Sequence, residues 1–229
     1  MGAFNELANG LRGSTKIFKY KQMKMIELAE EHVTQDQFTV GMGGVCATLT
    51  MRWLAQGQGR ISTTTDQGFQ FGAVGSLDRE GADGEVAQQS METYHELKKL
   101  GTSGSKSSAL KTVGKRYGLR LDVSECDDAS KYAPLDSAIT GLIMECEMFG
   151  NGYYIGYSVA DSGGTPVGVH AVGLMGRDGK SFFFDPNIGE YQLQDADAFV
   201  VAYKQCYAKA MKWNLTKSLA YKCWVKPPK

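Results

Sequence analysis

Residues 167–191 read VGVHAVGLMGRDGKSFFFDPNIGEY, and the fold is decided there. Val167, Val169, Ala171 and Gly173 alternate with Gly168, His170, Val172 and Leu174, the pattern of a strand with both faces largely covered. Gly176-Arg177-Asp178-Gly179 is a turn sequence, and Lys180 to Phe184 supplies a second strand, so the segment predicts an antiparallel hairpin. Asp185 ends that strand, because Pro186 cannot continue a ladder and Asn187 and Gly189 favour a turn. His170 and Asp185 lie at similar distances from the turn, which predicts side-chain reach across the two strands. An ionisable ring in a covered strand needs a hydrogen-bond partner, since burying it bare is costly. Two readings stay open on these residues: a satisfied core histidine beside a turn aspartate, or a base oriented by a carboxylate.

Upstream, residues 41–54 read GMGGVCATLTMRWL. Gly41, Gly43 and Gly44 break regular structure before Cys46, whereas Ala47, Leu49, Thr50, Trp53 and Leu54 recur at helical spacing until Gly57 and Gly59 end the pattern. The expectation is that Cys46 opens a helix, where the positive end of the helix dipole favours thiolate and unpaired N–H groups can face an oxyanion. A free cysteine is also a common buried small hydrophobe, and that reading stands beside the nucleophilic one. Of the three histidines, His32 and His95 lie in charged helical surroundings, and only His170 sits on an apolar strand.

The blocks GGVCATLTMRWL, VHAVGLM and FFFDPNIGEY resemble the three catalytic blocks of the YopT/AvrPphB-type cysteine peptidases, a papain-like family of bacterial effector proteases. The resemblance implies an α+β fold with a helical half that carries the nucleophile, packed on a mainly antiparallel sheet. It implies Cys46 as nucleophile, His170 as general base and acid, and Asp185 as the orienting carboxylate. The family pattern also has a Gln or Asn shortly before the cysteine as a second oxyanion donor; here Val40, Gly41 and Met42 stand in that place, and Gln37 is the nearest upstream amide. Met42 and Asn187, beside the catalytic blocks, are candidate contacts to substrate in the cleft. The implied partner is a protein or peptide substrate.

Composition suits one enzyme domain. The 229 residues are enough for a proper core and short for two full domains. The expected division is a single domain over residues 1–229, with residues 1–16 a flexible N-terminal segment. Equal numbers of basic and acidic residues, 25 of each, give no support to nucleic-acid or membrane steering. Five cysteines without close pairing suggest free thiols in a reducing compartment, with Cys126, Cys146, Cys206 and Cys223 as core or surface thiols; no metal or other cofactor is expected. The start of the chain lacks the apolar core of a secretory signal and no membrane-spanning run occurs, so the expected location is the cytoplasm, or a target cell reached without a cleaved signal peptide.

Between the blocks, residues 16–32 place Ile17, Tyr20, Met23, Ile26 and Leu28 at near-helical intervals, which predicts a surface helix. Residues 61–84 read as an irregular connection with Phe69 and Phe71 as packing anchors, followed by helices over 85–100 and 107–117. The run AITGLIMECEMFG fits helix or strand, GYYIGYSVA fits a strand, and AYKCWVK a final strand. A late helix carries Phe199, Ala202, Tyr203, Cys206 and Ala210 on one face. These expectations lead to a thiol peptidase of effector or toxin type. The same residues also suit a glutamine deamidase, a transglutaminase or a peptidoglycan amidase, and a non-catalytic binding module can keep the fold.

Overall fold

In a computed structural model, which describes residues 10–18, 35–57, 95, 96, 99, 106–122 and 133–225, two residues set the central hairpin. Asp178 and Gly179 both have positive φ, 52° and 68°, the geometry of the tight two-residue loop whose twist matches that of paired strands. The hairpin they close joins β5 (Pro166–Arg177) to β6 (Lys180–Asp185), with Arg177 opposite Lys180 and Gly173 opposite Phe184. β6 turns at Pro186 into β7 (Gly189–Leu193), and β4 (Gly152–Ala160) lines the other side of β5. The remaining strands are β1 (Ser14–Phe18), β2 (Leu119–Leu121), β3 (Ala133–Pro134) and β8 (Asn214–Val225). The sheet runs β1-β7-β6-β5-β4-β8-β2, with β3 also on β8, and every pairing is antiparallel.

Four helices complete the described structure: α1 (Gln35–Gly57), α2 (Lys106–Arg116), α3 (Leu135–Phe149) and α4 (Ala196–Ala210). The ambiguous apolar run after Pro134 is therefore helical, and Gly150 stops it with φ 65° and its N–H on the Cys146 carbonyl. α4 starts on an Asp195 cap whose side chain accepts from the Ala198 N–H.

Strand alternation sorts the core into two layers. Tyr153, Ile155 and Tyr157 of β4, Val172 and Leu174 of β5, and Phe183 of β6 pack with Ile139 and Ile143 of α3 and Phe199, Tyr203 and Tyr207 of α4. The opposite face, with Gly173 of β5 and Phe184 of β6, receives α1 through Trp53. The fold is α+β, with a curled, wholly antiparallel sheet.

Two local expectations give way. Residues 14–18 form an edge strand rather than the start of a helix, because β7 offers an open ladder: Ser14, Thr15 and Lys16 lie opposite Leu193, Gln192 and Tyr191. Just before this strand, Leu11 is buried in the core. The rest of the helix expected over 16–32, His32, Phe69, Phe71, Cys126 and most of the helix expected over 85–100 lie outside the described residues. His95 is exposed.

Candidate active site

β6 stops at Asp185, so its pairing with β5 ends at Gly173↔Phe184. Continuing that register by one step sets Asp185 beside Val172, two residues from His170 and on the same face of the sheet. The result is direct contact: His170 Nε2 lies 2.8 Å from Asp185 Oδ1. His170 is 5% exposed and Asp185 0%. Gly168 and Val169, just before the histidine, are exposed, so the pair sits where β5 enters the covered sheet.

Asp185 is saturated with donors. Its Oδ1 takes the Asn187 N–H at 2.8 Å as well as His170, and its Oδ2 accepts the hydroxyls of Tyr203 and Tyr207, each at 2.6 Å. Burial pushes the carboxyl up, but the imidazolium beside it and the hydrogen bonds from His170, Tyr203 and Tyr207 outweigh that and hold it below its ordinary range. For His170 burial works downward; the Asp185 charge, the Asp185 hydrogen bond and a hydrogen bond with Cys46 overcome it, leaving the ring at about 10. The imidazolium is thus the resting form at neutral pH.

Cys46 comes to this pair from α1, 7% exposed and near enough to His170 to help raise the ring. Cys46, Thr50 and Trp53 fall at i, i+4 and i+7, one helix face. The Thr50 hydroxyl donates to the Ala171 carbonyl at 3.2 Å, and the Trp53 ring lies so close to Gly173 that a Cβ there would stand 2.6 Å from it. Trp53 also stacks on Phe184, with ring centroids 5.4 Å apart, and donates its indole N–H to Glu190 at 2.7 Å. Seven residues of helix rise about 10 Å, and three residues of extended strand from His170 to Gly173 also cover about 10 Å. Anchoring Trp53 at Gly173 therefore brings Cys46 level with His170.

The sequence reading of the helix itself needs correction. α1 runs unbroken through Gly41, Gly43 and Gly44, so Cys46 lies inside the helix and not at its start. Interior glycine costs about 1 kcal/mol relative to alanine; burial of Leu49, Met51, Trp53 and Leu54 all round the helix offsets it. Two devices expected of a helix start are lost. The dipole's positive end is remote from the sulfur, and an interior N–H is committed to the carbonyl four residues back. Gln37 sits nine positions earlier in the same helix, about 13 Å along its axis, so no bulged loop carries it to Cys46; its side chain, like that of Met42 one turn before Cys46, lies outside the described residues. Asn187 is part-buried and engaged with the pair: its amide donates to Tyr207 Oη at 2.8 Å and lies 3.4 Å from His170 Nε2.

Sequence reasoning missed Tyr207 and the partnership of Trp53 with Glu190. Tyr207 stands four residues after Tyr203 on an apolar helix face, a signal that was present but reads as core packing. Cys146 and Cys206 are buried and in no disulfide; the side chains of Cys126 and Cys223 lie outside the described residues. Among the described residues no group of three or more His, Cys, Asp or Glu side chains could hold a metal ion, and no helix is long and apolar enough to cross a membrane.

The family model Peptidase_C58, described as Yersinia/Haemophilus virulence surface antigen, matches residues 12–218. The chain belongs to this family. Membership in C58 places it among cysteine peptidases. The crystal structure of the Pseudomonas avirulence protein AvrPphB superposes with a TM-score of 0.55 at 14% identity, covering 81% of this chain and 94% of that one, so the two share the papain-like fold. The cysteine protease-like domain PatoxP of the Photorhabdus asymbiotica toxin PaTox aligns at a TM-score of 0.39 and 10% identity, over 97% of this chain and 57% of that one. No curated protein matches the chain.

Proposed function

We propose that this C58 member cleaves protein substrates with Cys46 as nucleophile, His170 as general base and acid, and Asp185 as the carboxylate that orients the ring, and that it acts as an effector or toxin inside a target cell. The observation that carries the reading is one histidine bonded at Nε2 to a buried carboxylate, with the Cys46 side chain close enough to help raise the ring. The effector role is supported at family level, by a family described through virulence antigens.

The chemistry follows from the geometry. His170 holds the proton taken from the Cys46 thiol, and Asp185 stabilises that imidazolium. The thiolate attacks the scissile carbonyl carbon; collapse of the tetrahedral intermediate breaks the C–N bond while His170 returns the proton to the leaving amine. A thioester remains on Cys46. Water, deprotonated by His170, attacks that thioester, releasing the carboxylic acid and restoring the thiol. Because Asp185 occupies Nε2, the proton moves through the other ring nitrogen, Nδ1.

The test is intact-protein mass spectrometry after brief, substoichiometric alkylation, followed by a peptide-library cleavage screen, on the parent, Cys46→Ala and His170→Ala. Expected are labelling confined to Cys46, slowed at least tenfold in His170→Ala, and backbone cleavage that Cys46→Ala abolishes. Labelling of Cys46 no faster than of the other cysteines removes the nucleophile reading. A mass change at glutamine without backbone cleavage moves the assignment to deamidation.

A further inference from the structure

The proposed roles of His170 and Asp185 leave the hydroxyls around Asp185 without a function. We propose that Tyr203 and Tyr207 are positioning residues, a hydroxyl clamp on Asp185 Oδ2 that holds Oδ1 against His170 Nε2. This inference rests on the proposed role of the His170–Asp185 pair and extends it to α4.

A carboxylate has about four lone-pair sites, and all four at Asp185 are used. His170 and the Asn187 N–H fill Oδ1; Tyr203 and Tyr207 fill Oδ2. Each phenol has one proton, and each spends it on Asp185. The 2.6 Å contact between Tyr157 and Tyr203 must then have Tyr157 as donor, and the Asn187 amide donates to Tyr207. Protons point inward along both arms, from Tyr157 through Tyr203 and from Asn187 through Tyr207, and converge on one oxygen. Rotating the carboxylate away from His170 would break two short charge-assisted bonds at Oδ2, which are about twice as strong as neutral ones.

Helical geometry makes the clamp possible. Tyr203 and Tyr207 are i, i+4 neighbours on α4, and their rings lie 5.1 Å apart between centroids. The rings are held independently of their hydroxyls, Tyr203 by Phe183 and Phe199, and Tyr207 by Trp213. Tyr→Phe changes therefore remove donors while keeping the packing. The titratable groups that bear on Asp185 are His170 on β5, Tyr157 on β4, Tyr191 on β7, and Tyr203, Cys206 and Tyr207 on α4. Burial pushes all four tyrosines and Cys206 up, so they stay neutral and act at Asp185 only as donors or apolar neighbours. The clamp's loss then reads out at His170: without donors on Oδ2 the carboxylate turns or takes up a proton, and either change strips the imidazolium of its counter-charge.

The experiment is a histidine titration by NMR on full-length, ¹⁵N-histidine-labelled protein, comparing the parent, Tyr203→Phe, Tyr207→Phe, the double variant and Asp185→Asn, with His170→Ala to assign the signal. The double variant is expected to lower the His170 midpoint by about one pH unit and to slow iodoacetamide labelling of Cys46 about tenfold at neutral pH, with each single variant intermediate. Should the double variant not fold, the single variants carry the same readout at smaller amplitude. A His170 midpoint unchanged or raised in folded Tyr→Phe variants, while Asp185→Asn lowers it, overturns the clamp alone. If Asp185→Asn also leaves the midpoint in place, the reading of the pair itself fails.

Discussion

Trp53 and Glu190 tie the helix that carries Cys46 to the strand that follows Asp185. The indole Nε1 donates to Glu190 Oε2 at 2.7 Å, and both side chains are fully buried. Glu190 lies opposite Phe184 across β6 and β7, and Trp53 stacks on that same Phe184. One indole thus braces α1 against two strands, a single residue away from Asp185.

Trp53→Phe keeps most of the ring area and deletes the donor. The buried carboxyl loses its hydrogen bond, at an expected cost of about 2–3 kcal/mol. Urea unfolding of parent and variant measures it, with labelling of Cys46 slowed several-fold because the helix loosens. Stability equal to the parent would mean that the bond carries no weight.

Glu190 itself makes stability depend on pH. Burial pushes its carboxyl up to about 7, against the hydrogen bond from Trp53 and the charge of Arg177, which favour the ionised form. A folded value above the ordinary 4.5 means that stability is fully present below about pH 4.5 and falls as pH rises to about 7. Glu190→Gln retains an acceptor for Trp53 and removes the ionisation. Denaturation series from pH 4 to 8 are expected to be flatter for the variant across that window; parallel curves would contradict the assignment.

His170 acts in a higher window. With its ring raised from 6.5 to about 10, its stabilising pairing with Asp185 is fully present below about pH 6.5 and is lost as pH rises towards 10. Asp185→Asn takes away the counter-charge and should abolish this alkaline loss, while lowering the overall stability at pH 6. Thermal melts at pH 6, 8 and 10 distinguish the two proteins, and an identical alkaline slope in Asp185→Asn would count against the pairing.

Gly173→Ala tests the spacing argument. The added methyl would meet Trp53 Cε3 and Cζ3 at 2.6 and 2.7 Å, so the indole and α1 must shift, at about 1–3 kcal/mol for overpacking. Displacing the helix also moves Cys46 from His170, and the Cys46 labelling rate is expected to drop about tenfold in protein that remains folded. A parental rate would show that the two ends of the helix are not coupled.

Most of the hairpin could be read from residues close in sequence. The Asp178-Gly179 loop, the period-two pattern before it and Pro186 after it are local backbone constraints, and together they fix the register that sets His170 near Asp185. The buried face of α4 was equally legible from its 3.6-residue period, apart from the part Tyr207 plays. The three glycines before Cys46 misled for the same local reason: propensity predicts a break there, whereas tertiary burial carries the helix through.

By itself the sequence determined the antiparallel hairpin, the late helix and the family. Only the tertiary structure decided which groups share a pocket: Thr50 on the Ala171 carbonyl, Trp53 on Glu190, and two tyrosines on Asp185. Turns and alternation are properties of a few consecutive residues, written directly in residue type. Contacts such as Trp53 to Glu190, 137 residues apart, depend on which faces meet once the whole sheet has formed. A donor's partner is then set by packing geometry, which no local pattern encodes.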